Sequence, residues 1–394
     1  RYWSGRPRYY IGLLCSQHFL EAFHWRKNMK LGLLKACSIA ALSFVVSGQA
    51  LAQEKLHIYN WSDYIAEDTI SNFEKATGIK VTYDVYDSNE VLEAKLLAGR
   101  SGYDLVFPTA LPFADRLIRA NLYAPLDKSK LSHYGNLDPI INKSLADIDA
   151  GNQYAVPYMW GTTGIAYNKD KVEAILGKDM PKDTWALVFD PAIVSKLAGC
   201  GVALQDDALE VFTAVRAYLG KDTKDYSKEA IQEAADAISA VRPNIRYFHN
   251  SQTINDIANG DICVAHGYSG DMLQAQARAK EANNGVQVEY VIPREGAVLW
   301  TDVMVIPADA KNIESAHKFI NYLLQPEVIA TVSNYVAYAN ANKQATPLVD
   351  ADVRNNPGIY PPETTLEKLL TLKTPSDREA RVITRAWTRT KTGR

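Results

Sequence analysis

The sequence predicts an α/β protein built as two lobes with a ligand cleft between them. Segments of period two and period 3.6 alternate along most of the chain. With 394 residues, 47% of them hydrophobic, it can build two cores of ordinary size. No internal repeat or low-complexity linker separates the halves, which suggests several chain crossings between the lobes. A lobe interface of that kind is where small ligands are held.

The first lobe reads as strand, helix, strand, helix, strand. Residues 56–59 form a strand, and Ile70 and Phe73 share one face of a short helix that Gly78 ends. Ile79, Val81, Tyr83 and Val85 alternate as a second strand. Asp87 with Glu90 makes a capping box for a helix over 91–98, and 104–107 is a strand stopped by Pro108. That order means a parallel sheet with helices on its faces. The pattern shifts at a strand over 156–161. Helices over 209–219 and 229–241, a strand over 262–265 and a helix over 272–282 follow. Residues 286–293 and 302–307 read as extended, and 313–324 as a helix whose end Pro326 marks.

The N-terminal part has the marks of export. Met29-Lys30 and Lys35 supply a positive region, 36–46 an apolar stretch, and Ala50-Leu51-Ala52 an A-x-A cleavage site. Residues 1–28 are expected to be an over-extended reading frame and 29–52 a signal peptide cleaved after Ala52. The stretch is too short to stay in a bilayer. Lys35 stands where a lipobox needs a small or apolar residue, so Cys37 is not expected to carry a lipid. The lobes are expected at 53–157 with 281–335, and at 158–280 with 336–394. Cleavage removes Cys15 and Cys37 and leaves Cys200 and Cys263, which fit either one disulfide or two buried thiols.

Composition and motifs narrow the function. Forty-three basic against 45 acidic residues give a net charge of −2, which argues against nucleic acid or an anionic membrane as the main partner. His266-Gly267-Tyr268-Ser269-Gly270-Asp271 approaches a nucleophile elbow, but Asp271 stands where that motif needs glycine. His57, His133, His249, His266 and His317 lie too far apart for helical metal-ligand pairs. No phosphate-cradling glycine run opens a helix, so no cofactor, metal or catalytic residue is expected. What recurs is an aromatic residue beside a carboxylate at a strand end. Trp61-Ser62-Asp63-Tyr64, Tyr268-Ser269-Gly270-Asp271 and Trp300-Thr301-Asp302 are the three cases, with Tyr338 near the end of the chain. Each alone could be core aromatics beside a solvated acid; together they suit a ligand with ammonium groups on a methylene spine.

These residues and their surroundings resemble the polyamine-binding proteins of bacterial ABC importers, the putrescine and spermidine receptors. The stretches that carry the resemblance include LHIYNWSDYI (56–65), YDVYDSNEVLEAKL (83–96), PYMWGTTGIAYN (157–168), RPNIRYFHNSQTINDIANGDICVA (242–265) and YANANKQATPLV (338–349). The resemblance implies a type II periplasmic binding-protein fold, whose two α/β lobes close on the ligand. It implies that Trp61, Ser62, Asp63 and Tyr64 line the cleft from the first lobe. Thr109, Glu210, Tyr268, Asp271, Trp300, Asp302 and Tyr338 stand at the other matching positions. Asp302 and Asp63 would hold one ammonium, and Asp271 with Glu210 and Asp207 the far end. A Cys200–Cys263 disulfide, a membrane permease as partner and a monomeric state are also expected.

Several positions depart from the putrescine-receptor pattern. Thr109 replaces a serine, Tyr268 stands where tryptophan is common, and Trp300 where phenylalanine is usual. Asp206-Asp207 adds an acid near the cleft. A larger ring and an extra acid lean the expected ligand slightly from putrescine toward spermidine. The rivals are a receptor for agmatine, cadaverine or a basic amino acid, a periplasmic hydrolase using paired carboxylates, and a sensor using the same cleft.

Overall fold

The computed structural model describes residues 53–393; the reading-frame, signal-peptide and cleavage expectations lie outside the described residues. Two sheets organise the rest. In the first, β1 (Lys55–Trp61) lies between β2 (Lys80–Tyr86) and β3 (Leu105–Val106), all parallel. Leu56, Ile58 and Asn60 of β1 alternate inward. Helix α1 (Thr69–Thr77) ends at Gly78, whose φ of 75° sets a left-handed cap with its N–H on Glu74 O. Helix α2 (Asn89–Leu97) starts two residues before expectation. Its N-cap is Ser88, whose hydroxyl accepts from Val91 N, so no capping box forms between Asp87 and Glu90.

The second sheet is organised on β4 (Val156–Asn168), which runs seven residues beyond the expected strand and is buried almost throughout. Strands β5 (Val202–Leu204), β6 (Tyr247–Phe248) and β7 (Val264–Tyr268) are mutually parallel, and β7 joins β4 antiparallel. β8 (Val288–Val291), β9 (Val298–Met304) and β10 (Ala339–Asn340) also pair antiparallel with β4. The 302–307 segment expected to be extended is therefore the end of an earlier strand, with Trp300 and Asp302 inside it. β9 also reaches the first sheet, through the bridges Val106↔Val305 and Thr109↔Asp302. The Cys200–Cys263 disulfide forms, with Cα atoms 5.5 Å apart, ahead of β5 and β7.

Helix α3 (Ala208–Tyr218) is capped by Asp207, which accepts from Leu209 N and Glu210 N at 3.0 and 3.1 Å. α4 (Lys228–Val241), α5 (Gln252–Asn259) and α6 (Ser269–Ala282) complete that half. α7 (Ile313–Leu323) returns to the first sheet, where Phe319 meets Phe73 at 4.9 Å. Pro326 does more than follow α7: it is the first residue of α8 (Pro326–Val336), a place where a missing N–H costs nothing. The closing helix α9 (Asp377–Thr392) carries a Ser376–Glu379 capping box that the sequence reading passed over.

Candidate functional site

The parallel strands of both sheets point their carboxyl ends at one cleft, the usual ligand position in open α/β sheets. β1 delivers Trp61 and Ser62, β2 delivers Asp87, and the turn after β3 delivers Thr109. β6 delivers Asn250 and Ser251, and β7 delivers Tyr268 and, one helical turn on, Asp271. With Tyr64, Trp300, Asp302 and Tyr338 these residues enclose a narrow cavity of about 30 Å³. Of the twelve ligand residues expected from sequence, nine line it. Asp87, Asn250 and Ser251 line it as well: Asn250 and Ser251 carry no charge for an acid–aromatic search to find, and Asp87, although it follows Tyr86 at the end of β2, reads from sequence as a helix cap.

Two carboxylates dominate the chemistry. Asp302 is 4% exposed and accepts the Thr109 hydroxyl at 2.7 Å. That hydroxyl has no freedom in the matter. Thr109 N–H donates to Asn89 Oδ1 (3.1 Å), so Asn89 Nδ2 faces Thr109 Oγ1 (2.9 Å) and the hydroxyl proton is left for Asp302. Asp271 accepts the Tyr338 hydroxyl at 2.9 Å, while the same oxygen of Tyr338 accepts Asp271 N–H at 3.1 Å. Neither acid forms an ion pair with a lysine, arginine or histidine among the described residues. Burial accordingly lifts Asp302 to about 7, with the Thr109 and Tyr64 hydroxyls pulling it back. Burial also lifts Asp271 to about 7; Tyr338 lowers it, Asp63 raises it and Arg278 lowers it.

Aromatic rings close the space between the acids. Tyr268 stands edge-on to Trp300 (5.6 Å between centroids) and to Trp61 (6.1 Å), and Tyr338 edge-on to Trp300 (5.3 Å) and to Tyr64 (5.2 Å). Two glycines make this packing possible. A Cβ on Gly161 would lie 2.7 Å from Trp300 Cζ2, and one on Gly270 2.4 Å from Tyr338 Cδ2. Trp61 is held from behind by its Nε1–H on Phe107 O at 2.9 Å, the carbonyl that also takes the Tyr86 hydroxyl. Its indole face is left for the cleft.

The structure places three of the expected acids elsewhere. Asp63, in the left-handed region at φ 56°, is exposed and takes Arg278 Nη2 at 2.5 Å. Asp207 and Glu210 lie buried at the start of α3, outside the cavity wall. Burial pushes Asp207 up to about 6 against its two backbone N–H bonds, and pushes Glu210 well above the usual carboxylate range, with Asp207 adding to it. Asp206, the other acid of the Asp206-Asp207 pair, is held by Lys391 Nζ at 2.6 Å and by the Trp387 indole N–H at 2.9 Å. Contacts also cross the cleft mouth. Ser62 Oγ meets Ser251 Oγ at 3.1 Å, Asn250 Nδ2 donates to Asp87 O at 2.8 Å, and Gln274 Nε2 to Asp63 O at 3.2 Å. This is a closed arrangement.

Among the described residues no group of three or more His, Cys, Asp or Glu could hold a metal ion, and no helix is long and apolar enough to cross a membrane. Residues 68–361 match the family model described as bacterial extracellular solute-binding protein. The chain is 54% identical over 371 residues to the putrescine-binding periplasmic protein of Escherichia coli K12, covering 94% of this chain and 98% of that one. It is 49% identical over 365 residues to a putrescine-binding periplasmic protein of Pseudomonas aeruginosa, covering 92% and 98%. A solved structure from Listeria monocytogenes, a putative spermidine/putrescine ABC transporter, superposes with a TM-score of 0.77 at 35% identity, covering 86% of this chain and all of that one.

Proposed function

Because this chain belongs to the bacterial extracellular solute-binding proteins, we propose that it is the receptor of an ABC importer, capturing a polyamine in the periplasm and delivering it to a membrane permease. One observation carries the choice of ligand. Asp302 and Asp271 are two carboxylates in an aromatic cavity, and neither forms an ion pair with a cation of the protein among the described residues. A buried, unpaired carboxylate is costly. A diamine relieves both at once, and its methylenes fit between rings that also attract its charged ends.

In this reading Asp302, with Thr109, takes one ammonium, and Asp271, with Tyr338, takes the other. Trp61, Tyr64, Tyr268 and Trp300 wall the methylenes, and Ser62 closes the mouth. Asp63 acts by joining the lobes through Arg278. Asp207 acts from behind Tyr268, adding negative potential rather than touching the ligand, and Glu210, whose neutral form burial favours, lies beside it. Charge-assisted bonds of about 1.5–3 kcal/mol each and cation–π contacts of about 0.5–2 kcal/mol stand against roughly 4 kcal/mol or more of lost ligand freedom. With the methylenes buried at about 0.8 kcal/mol each, affinity near micromolar is within reach.

The lean toward spermidine weakens, because Asp206 is already neutralised by Lys391, Asp207 caps a helix outside the cavity wall, and the one further acid in that wall, Asp87, faces His249 at 3.8 Å. A diamine the length of putrescine is the proposed ligand, in keeping with the names of the E. coli and P. aeruginosa relatives. The two lobes are proposed at 53–157 with 281–335 and at 158–280 with 336–394. The Phe73–Phe319 contact and the bridges Val106↔Val305 and Thr109↔Asp302 support the return of the chain to the first lobe, while β8 pairs only with β4 of the larger sheet and β9 also pairs with β4. Export by a signal peptide cleaved after Ala52, a monomeric state and the absence of a nucleic-acid partner belong to the same proposal.

A thermal-shift series with putrescine, cadaverine, agmatine, spermidine and spermine tests it. The melting temperature should rise most with putrescine. No shift with any of the five, or an equal shift with a neutral diol, overturns the reading.

A further inference from the structure

Outside the cleft, the most unusual surface is a row of arginines on the closing helix. At about 100° per residue, Arg378, Arg381, Arg385 and Arg389 of α9 fall within an arc of about 80°. The opposite face buries Ile383, Ala386, Trp387 and Thr390. All four arginines are exposed, and none forms an ion pair among the described residues; Arg389 makes only a 3.3 Å bond to Gln232 Oε1. Lys391, on the same helix, is different: Asp206 holds it.

Asp377, four residues before Arg381, makes no ion pair among the described residues, and the other acids near the row are engaged elsewhere. Glu379 caps its own helix and meets Lys373, Glu233 pairs with Arg216 and Lys221, and Asp236 accepts from Gln232. Beside the row runs an open groove between α9 and α4 of about 640 Å³. Ile231, Val382 and Ala386 form apolar lining there, and Lys228, Arg385 and Arg389 add cationic lining. In a chain of net charge −2, four unpaired guanidinium groups in line form a local field of one sign.

We propose that this row and its groove form a docking surface for an acidic helical segment of the membrane permease. Three features select that partner. Arg381, Arg385 and Arg389 follow at four-residue steps, about 6 Å apart along the axis, the spacing of carboxylates at every fourth position of a facing helix. Guanidinium is the group whose planar fork matches carboxylate in two bonds. The groove is concave with apolar lining, which accepts a protruding segment and does not fit a flat lipid surface. Removing rim charges of this kind mainly slows association. The inference rests on the importer reading above, and its test separates the two.

The full chain carrying Arg381→Gln, Arg385→Gln and Arg389→Gln replaces the chromosomal copy in the host bacterium, and uptake of labelled putrescine is measured beside wild type and a deletion strain. The purified variant should bind putrescine within twofold of wild type and melt at the same temperature, while uptake falls about fivefold or more. Gln at Lys75, Lys80 and Lys143, a surface of the other lobe, should leave uptake intact. Normal uptake by the arginine variant overturns the proposal. So does wild-type binding to phosphatidylglycerol vesicles that the variant loses, which would assign the row to lipid. A deletion strain with undiminished uptake, or a wild-type chain that does not bind putrescine, fails the importer reading itself.

Discussion

Replacing Asp302 by Asn separates an acid that serves a ligand from one that serves the fold. The side chain is 4% exposed, and its hydrogen bond from Thr109 survives because the amide oxygen still accepts. What disappears is the charge. A charge-assisted bond to an ammonium contributes about 1.5–3 kcal/mol, so putrescine affinity should fall roughly 10- to 150-fold at 1.4 kcal/mol per decade. The free protein should respond in the opposite direction. Burial raises this carboxyl from 3.8 to about 7, and at 1.36 kcal/mol per pH unit that is on the order of 4 kcal/mol. A raised folded value means stability present at low pH and lost as pH rises through 7. Asn resembles the protonated acid, so the unliganded variant should melt a few degrees above wild type at pH 8, above it by a smaller margin at pH 5, and alongside it only below about pH 4. Asp104→Asn is the contrast. Asp104 is 2% exposed, but it accepts from His57 N, Lys311 N, Asn312 N and Asn312 Nδ2 at 2.8–2.9 Å. Turning an NH₂ toward those donors should cost about 1–3 kcal/mol of stability and leave affinity unchanged. Calorimetry and melting at both pH values read all four quantities. Affinity of Asp302→Asn within threefold of wild type, or a lower melting point at pH 8, refutes the reasoning.

Putrescine affinity of the wild type should weaken as pH drops below about 7, by up to about tenfold per unit for each acid that protonates in the free protein, because Asp271 and Asp302 are both raised to about 7; a flat profile from pH 8 to 5.5 contradicts this. Gly270→Ala should weaken binding at least tenfold, since its Cβ would lie 2.4 Å from the Tyr338 ring and displace the hydroxyl that Asp271 accepts; near-normal calorimetry would show that the ring can yield. Cys200→Ser with Cys263→Ser opens a bridge between residues 63 apart, which should cost about 4 kcal/mol of stability in denaturant melts. The bridge lies at the end of β7 remote from Tyr268, so affinity should change less than threefold.

Much of the fold was legible because local signals agreed with the tertiary outcome. Alternating residues in β1 and β2, and Gly78 after α1, fixed those elements whatever packed around them. Longer-range effects were not visible. The length of β4 follows from four partners gathered along it, none of which is near in sequence. Pro326 reads equally well as a stop or as a first helical residue, and only the chain beyond it decides. At the site, the acid–aromatic spacing found Asp302 and Asp271 but could not rank acids by partner. Asp63 and Asp206 look like ligand acids until Arg278 and Lys391 are seen to hold them, one from 215 residues away and the other from 185. The glycines at 161 and 270 carried no signal either, because their role is the ring that comes to lie against them.

Two carboxylates with hydroxyl partners and no ion pair, Asp302 and Asp271, are proposed to receive the two ends of a diamine. Calorimetric titration of the wild-type chain with putrescine, butylamine and 1,4-butanediol tests this most directly, since the three share a four-carbon spine and differ in charged ends. Putrescine should bind near micromolar or tighter, the monoamine at least tenfold more weakly, and the diol should give no detectable heat. Butylamine binding as tightly as putrescine, or the diol binding at all comparably, would contradict the assignment.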